Sequence, residues 1–367
     1  MKLVNDMFDR SLEKTWIFGF ERTGKEYDMA KYNVDIDLAN ETKREMAKVI
    51  NSNDDRVLNK LGAFASLFDV STENYSEPVL VLKTEEPGSK QLLAAKYDRI
   101  EGVCYDMINH LINDCIVMGA TPLTVQDAII CGKINKGVVT RIVNAVSEAC
   151  IENECILTGG ETSEQPGVLD DDTFILTSSI VGIVDKKNII DGSKIQEGDV
   201  VVSLQSSGIH TNGYTLVRTI MEENPDVINE KIGNKGFIET ILTPHRCYYS
   251  ALKDLFETRK IKGLAHITGG GIKENLNRIL PPSLDAKILL DSYVVPQIFS
   301  ILKKYGNVDD EEMVRTFNLG VGMALVTSSE CVNEIIEHIE NKGINCNVIG
   351  NIIKGEGKVI CEGWIPW

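Results

Sequence analysis

The feature that most narrows what this chain can fold into is a repeated junction, where a short apolar run ends in a glycine-rich, hydroxyl-bearing segment. It occurs at Cys155-Ile156-Leu157 before Thr158-Gly159-Gly160-Glu161, and at residues 199–204 before Ser206-Ser207-Gly208-Ile209-His210-Thr211-Asn212-Gly213. It recurs at Leu264-Ala265-His266-Ile267 before Thr268-Gly269-Gly270-Gly271. A run of this length bounded by turn signals reads as a buried strand. Glycine directly after it lets the backbone turn sharply or approach a ligand, because no Cβ intervenes. The first junction is expected to turn at Gly159-Gly160 and close at Pro166-Gly167. The likeness of the Thr-Gly-Gly pairs at 158–160 and 268–270 is a weak hint of two related halves.

Helical periodicity fills the intervals. Val103, Met107, Leu111, Cys115 and Met118 share one stripe of a helix over 103–118, with Gly119 as its C-terminal stop. Asp106, His110 and Asn113 fall on a second stripe of the same helix. Residues 137–152 repeat the apolar pattern, and 77–84, 123–131 and 174–184 read as core strands. A polar, thinly striped helix is expected at 37–51 and a small-residue strand at 61–68. In the second half the expectations are a strand at 199–204, a helix from Tyr214, and strand, helix, strand at 323–327, 330–341 and 346–353. Alternating strands and helices define an α/β layer, with ligands expected beyond strand ends and at helix starts. The turn-rich stretch 186–198 marks a boundary: an extension at 1–26, one domain at 27–187 and a second at 188–367. The extension should carry a short amphipathic helix near 5–15.

Charge removes some classes of function. The 54 acidic residues exceed the 38 basic ones, for a net charge of -16, and no basic stripe stands out. A nucleic-acid partner held by phosphate contacts is therefore not expected. No apolar run is long enough to cross a membrane, and the start lacks the basic and apolar regions of a signal peptide, so the cytoplasm is the expected compartment. The nine cysteines show no Cys-x-x-Cys spacing; they read as buried thiols of a reducing compartment, and no zinc site is expected.

Two groups of residues could carry chemistry. Glu85, Asp106, Asn113, Asp114, Asp127 and Glu161 lie at strand ends, on the polar helix face or in a glycine loop. Oxygen ligands of this kind suit Mg²⁺ bridging to substrate phosphates, although solvated surface acids are the alternative for any one of them. The glycine loops at 207–213 and 268–271 each stand between a strand and a helix, where backbone amides bind anions; ordinary turn chemistry is the alternative.

The chain resembles the aminoimidazole ribonucleotide synthetase (phosphoribosylformylglycinamidine cyclo-ligase) family from about Tyr27 to Gly355. The resemblance rests on Asp114-x4-Gly119-Ala120-x-Pro122, on Gly159-Gly160-Glu161-Thr162 through Pro166-Gly167, and on Val34-Asp35-Ile36-Asp37 and Ile189-Ile190-Asp191-Gly192. Ser206 through Arg218, Ala265 through Gly271, and Arg315-Thr316-Phe317-Asn318 also carry it. It implies two α/β domains per subunit and a homodimer whose N-terminal domains pair in a β-barrel-like core. It implies ATP and Mg²⁺, and a phosphoribosylated substrate whose formyl oxygen is phosphorylated before the amidine nitrogen closes the imidazole ring. Carried over by motif, Lys90, Asp114 and His210 would be catalytic. Gly88, Ser89, Lys90, Gly119, Gly159, Gly160 and Thr162 would hold the nucleotide, and Glu85, Asp106, Asn113, Asp114 and Glu161 the metal. Ser207, Gly208, His210, Asn212, Gly213, His266, Thr268, Gly269 and Gly270 would hold the substrate. The chain departs from the family in its phosphate loop. Where the family has Asp-Gly-Val-Gly-Thr-Lys, Glu85-Glu86-Pro87-Gly88-Ser89-Lys90 adds a charge and removes an amide donor. That change leaves two alternatives standing: a paralogue acting on another acceptor, and a catalytically silent binding member. His110 and His245 have no counterpart in the family motifs.

Overall fold

The computed structural model describes residues 41, 42, 44–46, 50, 54–59 and 65–367. The extension at 1–26, its helix near 5–15 and the motif at 34–37 lie outside the described residues. Of the helix expected at 37–51, residues 41, 42 and 44–46 are helical. Of the strand expected at 61–68, residues 61–64 lie outside and Phe68 forms an isolated bridge with Val57.

The first half runs β1 (Pro78–Glu85), α1 (Lys90–Lys96), α2 (Ile100–Ile116), β2 (Thr121–Cys131), α3 (Lys136–Glu152), β3 (Ile156–Glu164) and β4 (Phe174–Asp185). Its sheet has the order β1-β4-β2-β3, with β2 and β3 parallel and the other pairs antiparallel. The run at 77–84 is thus an edge strand rather than a core strand. Val79 and Val81 pack inward, while Leu80 and Leu82 are 56% and 70% exposed, because α2 and α3 cover one face of this sheet.

The Gly159-Gly160 turn is also corrected. β3 continues through both glycines to Glu164, and Gly159 at φ +153° accompanies a register slip against Val125 and Gln126. Glycine is needed at 160 for close approach: a Cβ there would overlap Asp127 Oδ1 and the Asp127 carbonyl on β2. The Thr268 segment differs from it, with Gly270 at φ +90° leading straight into a helix.

The second half runs β5 (Val200–Gln205), α4 (Tyr214–Glu223), β6 (Ile261–His266), α5 (Gly271–Leu276), β7 (Leu284–Leu289), α6 (Gln297–Gly306), α7 (Asp310–Thr316), β8 (Val321–Thr327), α8 (Val332–Asn341), β9 (Cys346–Lys354) and β10 (Val359–Glu362), with short helices and 3₁₀ turns between. Its sheet order is β10-β7-β9-β5-β8-β6, antiparallel except for β10 on β7. Strands β7 and β10 and helices α6 and α7 have no counterpart in the sequence reading.

The two halves share one apolar core. Ile108 and Ile112 of α2 and Val146 of α3 belong to the same buried cluster as Val202, Leu204, Leu264, Leu325 and Tyr248. The nine cysteines are free, six of them buried. No helix among the described residues is long and apolar enough to cross a membrane.

Candidate functional site

Helix α2 is buried along most of its length, with Glu101 exposed at its start. Its apolar stripe faces the first sheet, and its polar stripe (Asp106, Asn109, His110, Asn113) is buried against the second half. This polar face grips the backbone of 245–248. Asp106 Oδ1 accepts from His245 N at 2.7 Å, and Asn109 Nδ2 donates to the His245 carbonyl at 2.7 Å. Asn113 accepts from Tyr248 N at 2.9 Å and donates to the Arg246 carbonyl at 2.8 Å. Residues 245–248 lie between helices and would otherwise bury unpaired amides and carbonyls, which are costly.

Lys90 caps one end of this seam. Its Nζ lies 2.8 Å from both Asp106 carboxylate oxygens, and it donates to the carbonyls of His210 at 3.1 Å and Thr243 at 2.8 Å. Burial pushes the Asp106 pKa up and the Lys90 pKa down, and the mutual charge opposes both shifts. Asp106 and the two carbonyls give the nitrogen three oxygen partners, which match the three hydrogens of an ammonium. In the adjoining loop Glu86 is exposed, Pro87 is buried and Gly88 takes φ +64° beside the Thr211 carbonyl.

Further along α2, about 12 Å from Asp106 by helical rise, four imidazoles converge on Asp114. His266, the last residue of β6, places Nδ1 2.7 Å from Asp114 Oδ1, and its Nε2 lies 2.9 Å from His245 Nε2. His245 stacks on His210 with centroids 3.8 Å apart. His110 Nε2 lies 3.8 Å from Asp114 Oδ2 and 4.0 Å from Glu85 Oε1, and its Nδ1 is 3.0 Å from Thr211 Oγ1. Lys83 Nζ bridges Glu85 at 2.6 Å and Asp114 at 3.1 Å. Burial holds His210 and His245 well below the ordinary imidazole range. Burial, with the charges of His266 and Lys83, brings His110 down to about 3. Burial alone would raise the Asp114 pKa; the His266 hydrogen bond and the charges of His266, His110 and Lys83 outweigh it and hold the carboxyl well below its usual range.

The glycine loops meet the same cluster. Asn318 donates to the carbonyls of Gly208 and Ile209, Ser206 Oγ donates to the Gly208 carbonyl, and Ser207 N donates to His210 Nε2 at 3.1 Å. These bonds hold His210 at φ +66°, a conformation non-glycine residues seldom adopt. Gly213 at φ +81° opens α4, and the close packing of Gly269 on Asn212 joins the two loops.

The structure therefore gathers Lys90, Asp106, Asn113, Asp114, Glu85, His210, Ser207, Gly208, Asn212, Gly213, His266, Gly269 and Gly270 along one seam, with Thr268 beside them, bonded to Asn275. It separates the expected metal ligands. Asp106 and Asn113 are committed to Lys90 and to backbone. Glu85, Ser178, Asp127 and Gly160 stand in one row across the sheet, so Glu161 lies three strand spacings from Glu85, about 14 Å. Within one chain one ion cannot bind both. Gly119 at φ +76° packs against Asn188 and Ile190 at the C-terminal end of α2, and Thr162 lies on the far edge strand β3. Lys83, Asn109, His245 and Asn318 were not among the expected site residues. Two of them carried a signal: Lys83 as a charge inside an apolar strand, and Asn318 as the end of a family motif.

The two mixed sheets, joined by a polar seam lined with glycine loops, define a two-domain α/β class. A thiamine-monophosphate kinase from Stenotrophomonas maltophilia K279a shares it, with a TM-score of 0.64 at 14% identity over 90% of this chain and 96% of that one. The hydrogenase maturation protein HypE, solved in complex with ATP, shares it with a TM-score of 0.59 at 14% identity over 93% and 92% of the two chains. Residues 69–184 match the AIR synthase related protein N-terminal domain, and 196–362 match its C-terminal domain. The phosphoribosylformylglycinamidine cyclo-ligase of Acetivibrio thermocellus is 41% identical over 308 residues, which is 83% of this chain and 91% of that protein. The chain belongs to the AIR synthase family, in its phosphoribosylformylglycinamidine cyclo-ligase branch.

Proposed function

We propose that this chain is an ATP-dependent cyclo-ligase that closes formylglycinamidine ribonucleotide to aminoimidazole ribonucleotide. The observation that carries the reading is the convergence of the two glycine loops, 206–213 and 266–270, on Asp114 and His266, in a chain 41% identical to a protein of that name. The amides of the loops suit the phosphoribosyl phosphate. In the proposed reaction the formyl oxygen attacks the γ-phosphorus and ADP departs. The amidine nitrogen then attacks the formyl carbon, and phosphate leaves with the former formyl oxygen. The proton released on ring closure leaves with the phosphate, and Lys90 donates to the His210 carbonyl and so fixes the proposed substrate loop.

The ATP-bound HypE neighbour supports nucleotide use by this fold. Mg²⁺, when bound with the triphosphate, neutralises its charge. Of the acids expected to hold it only Glu85 and Asp114 come together, and His110 and His266 lie against them, so the residues present do not make the all-oxygen site that Mg²⁺ takes. A homodimer is proposed from the exposed Leu80 and Leu82 on the edge strand β1. The cytoplasm is the proposed compartment.

The test is ADP release by purified protein with and without formylglycinamidine ribonucleotide. Substrate-dependent release with formation of aminoimidazole ribonucleotide is expected. ATP binding without turnover would favour the silent member, and turnover only on another acceptor would favour the paralogue.

A further inference from the structure

Two of the carboxylates expected to bind Mg²⁺ meet, but they do not meet among oxygens alone. His110 Nε2 lies 3.8 Å from Asp114 Oδ2 and 4.0 Å from Glu85 Oε1, and His266 Nδ1 lies 2.7 Å from Asp114 Oδ1. Ligand atoms of His110, Asp114 and His266 all fall within 4.8 Å of one another. A tetrahedral ion with bonds near 2.0–2.1 Å sets its ligands about 3.3 Å apart, so these groups need to move only a little to close on one. We infer that His110, His266 and Asp114, with Glu85, form a mixed imidazole–carboxylate site that selects a dication of the Zn²⁺ or Co²⁺ kind over Mg²⁺.

The outer contacts support it. A ligating imidazole needs a partner for its other nitrogen. His110 Nδ1 can donate to Thr211 Oγ1 at 3.0 Å, and His266 Nε2 can donate to His245 Nε2 at 2.9 Å. His245 Nδ1 can in turn donate to the same Thr211 oxygen at 3.5 Å, since a hydroxyl has two lone pairs. When an entering ion displaces the Nδ1 proton that His266 shares with Asp114, that arrangement turns the lone pairs of His110 Nε2 and His266 Nδ1 toward the ion. Imidazole donors suit Zn²⁺ and Co²⁺, whereas Mg²⁺ takes oxygen. The absence of Cys-x-x-Cys spacing does not bear on a site made of histidines brought together by the fold. A positive charge already spans the two carboxylates: the ammonium of Lys83, 2.6 Å from Glu85 and 3.1 Å from Asp114. Its side chain is 37% exposed and can swing into solvent when an ion enters.

The test uses the whole protein, stripped with a chelator and then titrated with Co²⁺ or Zn²⁺ alone. It reads binding rather than turnover, so it stands or falls separately from the cyclo-ligase reading. One Co²⁺ per chain is expected, with the intense visible absorption of low-symmetry coordination, displaced by equimolar Zn²⁺ and retained in a thousandfold excess of Mg²⁺. His110→Gln should weaken Co²⁺ binding at least about tenfold, while His338→Gln, remote from the cluster, should not change it. Lys83→Gln should tighten binding by removing the competing cation, and it serves as the test if His110→Gln fails to fold. Displacement by Mg²⁺, binding undiminished in His110→Gln, or binding unchanged or weakened in Lys83→Gln would each overturn the inference.

Discussion

Asp114 and His266 stand 152 residues apart, in different halves of the chain, and meet at 2.7 Å between Oδ1 and Nδ1. The contact fixes which imidazole nitrogen faces the carboxylate and which faces His245. Asp114→Asn removes the charge and offers an amide that can present either end. ADP release should fall by about 100-fold, the upper range for loss of a group that orients a histidine, with an unchanged far-UV circular dichroism spectrum. Wild-type turnover in this variant would remove Asp114 from the site.

Lys90 and Asp106 are an ionic pair with almost no solvent access. Lys90→Met leaves a buried carboxylate without its partner and should cost about 3–5 kcal/mol in urea unfolding. Lys90→Met combined with Asp106→Leu should cost clearly less than the sum of the two single changes, since neither charge is then stranded. Additivity in that double-mutant cycle would mean that the pair does not interact.

Asn113 serves the backbone on both sides of Cys247, accepting from Tyr248 N and donating to the Arg246 carbonyl. Asn113→Ala leaves both groups buried and unpaired. A loss of about 2–6 kcal/mol is expected, at about 1–3 kcal/mol per orphaned group. A change below 0.5 kcal/mol, measured from the urea midpoint at constant slope, would show that water replaces the side chain.

Asp127, in the middle of β2, is buried, and burial raises its pKa to about 7. Between about pH 4 and that value the folded protein keeps a proton that the unfolded chain has released. Its contribution to stability is therefore complete below about pH 4 and declines as pH rises to about 7, by roughly 4 kcal/mol in all. The difference in unfolding free energy between wild type and Asp127→Asn should follow that decline and then level off. A difference independent of pH would mean that the carboxyl is ionised in the native state.

Much of the architecture was legible locally. The 103–118 periodicity found α2 to within three residues, and the apolar runs at 123–131, 174–184 and 199–204 found β2, β4 and β5. The errors came from contacts that local pattern does not encode. β1 has the composition of a core strand, and only the sheet order makes it an edge. Gly159-Gly160 has the composition of a turn, yet the glycines serve the close packing of β3 on Asp127.

Sequence by itself determined the family, most of the helices and strands, and the two glycine loops of the second half, because these rest on periodicity, turn chemistry and contiguous motif. Tertiary structure alone decided how the polar residues are used. Asp106 and Asn113 read as metal ligands because oxygen donors on one helix face look alike whether they face an ion or a backbone. Residues 245–248, more than 130 positions away, claim them. The meeting of His110, His245 and His266 around Asp114 likewise depends on α2 crossing the end of β6, a relation between distant segments that no local spacing carries.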